Sequence, residues 1–278
     1  MTTEPPPDPM IDARTAAAAL RWLSDSGADV LAADAAGNWL DAPVRLSAPR
    51  AVAPGMDTGS AAERGAGMPG AEAIPVVRAD PRAEPPRPVR IDLKAKTLAE
   101  LRAESETLEI AARRPRAPLV FADGNPDSGV MIVGEAPGAE EERQGRPFVG
   151  PAGQLLDRML GAIGLDREQV YITNLSLWRP VGNRVPSAQE AAELLPVLHR
   201  HIALVKPRAL LAVGGASAKA LLETTSGIMR IRGRWQDIEA DGHKVPVMPT
   251  FHPAYLLREP VQKRLAWRDL LAFSARIS

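Results

Sequence analysis

The residues best suited to chemistry lie where apolar runs end. Glu135 follows VMIVG, Asn174 lies near the end of VYITNL, His252 follows VPVMPTF, and Phe148 sits in the loop after the first run. A carboxylate, an amide, an imidazole and an aromatic face are what holding a planar, hydrogen-bonding heterocycle requires. Stacking supplies affinity, the amide reads donor and acceptor edges, and the imidazole stabilises charge on an oxygen. Taken singly, each has a plainer reading: a strand-end Asn as a turn residue, a His-Pro as structural, a Phe as core. Only their joint placement at separate strand ends points to a site.

Other chemistries are excluded. GEAPGAEEERQG (134–145) is neither a G-x-G-x-x-G nor a Walker loop, and Glu140, Glu141 and Glu142 would repel phosphate. GGASAKA (214–220) holds no G-x-S-x-G elbow. The chain has no cysteine, which removes disulfides, thiolate metal sites and a Cys nucleophile together. His199 and His201 sit two apart on one expected helix and face different directions, so they are expected to be solvated rather than metal ligands.

The elements that must position these residues alternate. Strands are expected over 130–136, 170–175, 208–215 and 245–251. Helices are expected over 93–114, 152–164, 187–205 and 259–277, with a short one at ASAKALLE. The helix at 187–205 carries a capping box, Ser187 with Glu190. Alternation of this kind predicts an α/β fold, three layers αβα around a central four-stranded, mostly parallel sheet. Ligands in such sheets bind at the carboxyl ends of strands. Those ends are GEAPG, TN, VGG and TFHP.

Ahead of this domain, placed at 91–278, a short helical segment is expected within 1–33 and a Pro/Ala/Gly-rich linker over 34–90, expected to be disordered. The N-terminal helix around Trp22 is read as an accessory element that could dock a partner protein or the domain that follows, with a mere tether as the alternative. Residues 1–85 hold 12 acidic and 7 basic groups, a balance of −5, which leaves +5 on the remainder of a chain whose net charge is zero. A mildly basic C-terminal domain suits a polyanion without requiring one. No stretch approaches the ~20 apolar residues of a membrane helix. The acidic, Pro-rich MTTEPPPDPMIDAR is not a secretory leader, so a cytoplasmic location is expected.

GEAPGAEEERQGRPFVGPAGQLLD, YITNLSLWRPVGNR and TFHPAYLLR, in this order and spacing, resemble the motifs of the family 4 uracil-DNA glycosylases from about residue 90 onward. The resemblance implies hydrolysis of the N-glycosidic bond of deoxyuridine in DNA, the opening step of base-excision repair, with uracil-containing DNA as partner. A repair protein is then the partner the N-terminal segment could dock, and a monomer with no membrane association is expected. It implies that Phe148 stacks on the flipped uracil, Asn174 bonds its Watson–Crick edge, and His252 donates to O2 of the departing anion. Glu135 takes the acidic catalytic position, and Gly134 and Ala136 line the pyrimidine pocket. Leu257, Arg258 and Arg184 fall to DNA contact, with Leu257 as a wedge. Some branches of the superfamily carry a carboxylate where Ala136 stands. An inactive uracil- or DNA-binding module of the same fold, and a broader base scope, remain alternatives. Uracil-trapping relatives carry a basic insertion that EERQGRPF lacks.

Family 4 enzymes also hold an iron–sulfur cluster on four cysteines. Here Trp178 and Leu194 stand at two of those positions, and the other two would fall within 104–118, which has no thiol. No cofactor is therefore expected, with Trp178 and Leu194 filling the space as core. Glu142 stands for the family's usual Asp and Val181 for its second Pro.

Overall fold

The structure is a computed structural model that describes residues 91–277; the helix and linker expected over 1–90 lie outside the described residues. A six-stranded sheet forms its middle layer. Its strands are β1 (Asp123–Gly124), β2 (Val130–Gly134), β3 (Tyr171–Asn174), β4 (Ala209–Val213), β5 (Gln236–Ala240) and β6 (His243–Thr250). The spatial order is β1-β3-β2-β4-β6-β5. β3, β2, β4 and β6 are mutually parallel, and β1 and β5 add an antiparallel strand at either edge.

β2 (VMIVG) and β4 (ALLAV) are buried along their whole length because helices cover both faces. Their side chains alternate between two cores. Met131, Val133, Leu210 and Ala212 face one, and Val130, Ile132, Ala209 and Leu211 the other. The first core is closed by α1 (Leu98–Thr107) and α4 (Ala188–Val205). The second is closed by α3 (Pro151–Gly161), which follows the short α2 (Ala139–Gln144), and by α8 (Lys263–Ile277). Three short helices complete the layers: α5 (Gly215–Leu221), α6 (Ile228–Ile231) and α7 (Pro253–Arg258). The capping box at α4 forms as expected: Glu190 N donates to Ser187 Oγ at 3.2 Å and Ser187 N to the Glu190 carboxylate at 2.8 Å.

The structure departs from the sequence reading in several places, and besides those that follow it adds the edge strand β1, where no strand is expected. The helix expected over 93–114 ends at Thr107, because Leu108 is extended and the following segment lies along α4, with Ala111 N donating to Glu193 at 2.9 Å. The helix expected over 259–277 is split, a 3-10 turn at Pro260–Gln262 preceding α8. The edge strand β5 joins β6 through Asp241–Gly242, both at positive φ, a two-residue hairpin turn. His201 is buried rather than solvated. It lies on the face of α4 that buries Leu194, Val197, Leu198 and Ile202, stacks on Phe121 with ring centroids 4.5 Å apart, and meets the Tyr171 hydroxyl at 2.8 Å. Burial pushes its pKa down to about 3.

Candidate active site

The parallel register brings the strand ends level, with Gly134 beside Asn174 and Val213 beside Thr250. β3 and β4 lie on opposite sides of β2, so the chain reverses direction across the sheet between β2 and β4. The carboxyl ends at such a reversal form the ligand crevice of open α/β sheets. Glu135 leaves β2 at this point, and its Oε1 accepts from Ala216 N, at the start of α5, at 3.0 Å.

Gly134 shows how tightly the neighbouring groups converge. A Cβ there would overlap both Asn174 Oδ1 and the Phe148 ring edge, so only glycine lets the amide and the ring approach the strand. Asn174 is 2% exposed, and its Oδ1 is buried with no hydrogen-bond partner among the described residues. An orphaned buried acceptor costs roughly 1–3 kcal/mol, and such an atom at the end of a strand is where a ligand donor fits.

Phe148 holds its place against its own backbone preference, with φ 54°. Three contacts enforce this. The Glu141 carboxylate accepts from Val149 N and Gly150 N at 3.0 and 2.9 Å, and from Gly138 N at 3.0 Å. Arg167 donates to the carbonyls of Pro147 and Phe148. Gly153 leaves room for the Phe148 carbonyl, which a Cβ there would overlap. Glu141 thus gathers the N-termini of α2 and α3 onto one buried charge, a favourable place for an anion. Sequence reasoning does not single out Glu141 as an anchor, although its place at the third position of a helix opened by Gly138 is a local signal for it. Glu140 is exposed and pairs with Arg143, while Glu142 pairs with Arg114 and Arg179.

His252 caps α7: its Nδ1 accepts from Ala254 N at 3.2 Å, and its ring centroid lies 5.7 Å from that of Phe148. Burial lowers its pKa, with Arg258 acting in the same direction and Glu135 and Glu141 opposing. The imidazole is therefore neutral at pH 7. With Nδ1 occupied as an acceptor, the ring hydrogen sits on Nε2, which becomes a donor.

The structure thus brings together Gly134, Phe148, Asn174 and His252, with Glu135 close enough to act on the imidazole electrostatically. Ala136 is half-buried in the turn beyond Glu135. Leu257 and Arg258 end α7 exposed, outside this cluster, and Arg184 is exposed and held by both oxygens of Glu190 at 2.6 and 2.7 Å. That pairing pulls the Glu190 pKa down to about 2. An open cleft of about 440 Å3, lined by Arg114, Arg116 and Glu142 among others, lies away from the cluster. The strand ends carry the stronger case, since they hold the orphaned acceptor and the neutral donor.

A cysteine-held cluster does not fit this chain. Trp178 and Leu194 are 1% and 0% exposed and belong to one apolar core with Ala112, Val197 and Leu198. At these two positions, where the resemblance puts thiolates, the space is filled by packed apolar side chains, and the segment 104–118 expected to hold the other two has no thiol.

Comparison with known proteins identifies the family to which the chain is similar. The profile described as the uracil DNA glycosylase superfamily matches residues 121–271. A Type-4 uracil-DNA glycosylase of Pyrobaculum aerophilum is 42% identical over 158 residues, 55% of this chain and 81% of that protein. Those of Thermotoga maritima and Archaeoglobus fulgidus are each 40% identical, over 51% and 49% of this chain and 73% and 71% of their own length.

Proposed function

From the premise that this chain belongs to the uracil-DNA glycosylase superfamily, we propose that it removes uracil from DNA by hydrolysing the N-glycosidic bond of a flipped deoxyuridine. The observation that carries this reading is the buried Asn174 Oδ1, which has no partner among the described residues. Uracil presents an N3–H donor that such an acceptor satisfies. Cytosine presents a bare ring nitrogen at the same place, which would leave two acceptors facing each other, the kind of mismatch that gives strong discrimination.

The other groups take complementary roles. Phe148 stacks on the pyrimidine, and the missing Cβ of Gly134 lets ring and amide close on the same base. As the bond breaks, negative charge grows on the base and positive charge on the sugar. The His252 Nε2–H stabilises the first at O2, and a neutral donor avoids protonating a base that leaves as an anion. Glu135 favours the second, or orients the water. With Ala136 beside it, no further carboxylate is at hand in that turn. Leu257 and Arg258 extend beyond the pocket as wedge and phosphate contact, and Arg184 as a further phosphate contact. No metal or cofactor is assigned a step. The setting is base-excision repair by a cytoplasmic monomer; among the described residues no helix is long and apolar enough to cross a membrane.

The test is direct. The full chain is incubated with an oligonucleotide bearing one uracil and the product is treated with alkali. Scission at the uracil is expected. An intact strand that nevertheless stays bound would replace this reading with that of a uracil-binding module.

A further inference from the structure

His252 is the third residue of a stretch whose first two are fixed by groups far from the pocket. Thr250 ends β6, and its Oγ1 donates to Asp269 Oδ2 at 2.7 Å. Arg232 donates through Nε to Asp269 Oδ2 at 3.1 Å and through Nη2 to Oδ1 at 2.6 Å, and its Nη2 also reaches the Leu265 carbonyl. The same guanidinium lies over the Phe251 ring, 5.0 Å from its centroid. Gly233 N bonds the Pro249 carbonyl at 2.8 Å, and Gly214 N bonds the Thr250 carbonyl at 3.0 Å. Residues 249, 250 and 251 are therefore each gripped, and the next residue is the imidazole.

Asp269 is 2% exposed and the Arg232 side chain 13%. A buried ion pair is weak evidence of stability, because a well-packed apolar pair can do as well or better. What apolar packing lacks is direction: it cannot hold a hydroxyl and a guanidinium at fixed points along a strand end. The grip also reaches the opposite wall, since Gly214, bonded to Thr250, opens the helix whose Ala216 N–H holds Glu135. One anchor thus sets the imidazole relative to the carboxylate.

We propose that Asp269, with Arg232, is a positioning residue for His252, acting through Thr250 to hold the Nε2–H donor at the oxygen where charge develops. This rests on the glycosylase reading. Misplacing a reacting group by about an ångström can cost ~100-fold in rate, so loosening this anchor should appear in kcat and spare substrate binding.

Asp269→Asn and Thr250→Val are compared with wild type under single turnover on uracil-containing DNA. Thr250→Val, which removes one hydroxyl and keeps the shape, should lower kcat roughly ten-fold at unchanged KM. Thr250→Ser should restore the rate. Asp269→Asn should lose at least as much, and adding Thr250→Val to it should cost little more. If Asp269→Asn fails to fold, the Thr250 pair decides alone. A folded Thr250→Val with wild-type kcat overturns the proposal, as does a loss confined to KM. If wild type itself is inert, the glycosylase reading fails. The positioning claim is then read from the 15N shifts of the His252 ring, which should move in Thr250→Val and return in Thr250→Ser. Unmoved shifts would sink it.

Discussion

Two buried carboxylates hold the two sides of the pocket, and they do so by different means. Glu141 is surrounded by backbone N–H groups of Gly138, Val149 and Gly150. Asp269 is answered by a guanidinium and a hydroxyl. The first gathers a loop and, with it, the aromatic platform Phe148. The second indexes a strand end and, with it, His252. A loop has many free amides and few fixed directions, so one anion with several donors suffices to order it. A strand end already has most of its amides in the ladder, so beyond the backbone bonds from Gly214 and Gly233 it is side chains that fix its direction. One side of the pocket is therefore built for holding the base, and the other for placing a donor.

That contrast can be broken most sharply at the pocket groups themselves. His252→Ala should lower kcat by about 10²–10³-fold, the loss typical of one donor to a developing oxyanion, while Phe148→Ala should act mainly on KM. Single-turnover kinetics over a range of DNA concentrations separates the two, and matching losses in both parameters would erase the division. Next comes the loop anchor. Glu141→Ala leaves three N–H groups without their acceptor and should cost about 3 kcal/mol in urea unfolding, with KM raised more than kcat is lowered.

Acid offers a third test. The ordinary His pKa is 6.5, and burial lowers that of both His252 and His201, the latter to about 3. A lowered folded-state value means that protons bind the unfolded chain first. The stability contributed by the neutral rings is full above about 6.5 and is lost as pH falls toward the folded values. Unfolding midpoints should fall across that window and fall less in His201→Gln. The kcat profile should stay flat through pH 6.5, because His252 remains a neutral donor there. An inflection at 6.5 would mean that the ring is not held as described. The smallest effect belongs to Arg184, outside both anchored sides. Arg184→Ala should change stability by under ~1 kcal/mol, as exposed pairs do, and reduce the salt slope of DNA binding by about one if it meets a phosphate.

Much of this was legible beforehand. The four parallel strands follow from apolar runs separated by helical periods, and the convergence of Gly134, Phe148, Asn174 and His252 as a candidate site from reading which residues close those runs. Trp178 and Leu194 were expected as core, and both are buried. What escaped is tertiary. Arg232 and Asp269 are 37 residues apart, and neither stands at a strand end, so no local pattern joins them. The left-handed backbone of Phe148 depends on Arg167 and Glu141, not on its neighbours in sequence. Two misses did carry a local signal: the Asp241–Gly242 pair that turns the β5–β6 hairpin, and the seven-residue step from Leu194 to His201 that puts the imidazole on the buried stripe of α4.

The edge strand β5 bears on how copies of the protein meet. Its Gln236, Asp237 and Glu239 are exposed. An open sheet edge is a template onto which another chain can add a strand, and charged side chains oppose that addition. Two copies approaching β5 to β5 would bring Asp237 and Glu239 against their own likenesses. The strand that finishes the sheet thereby also discourages its growth.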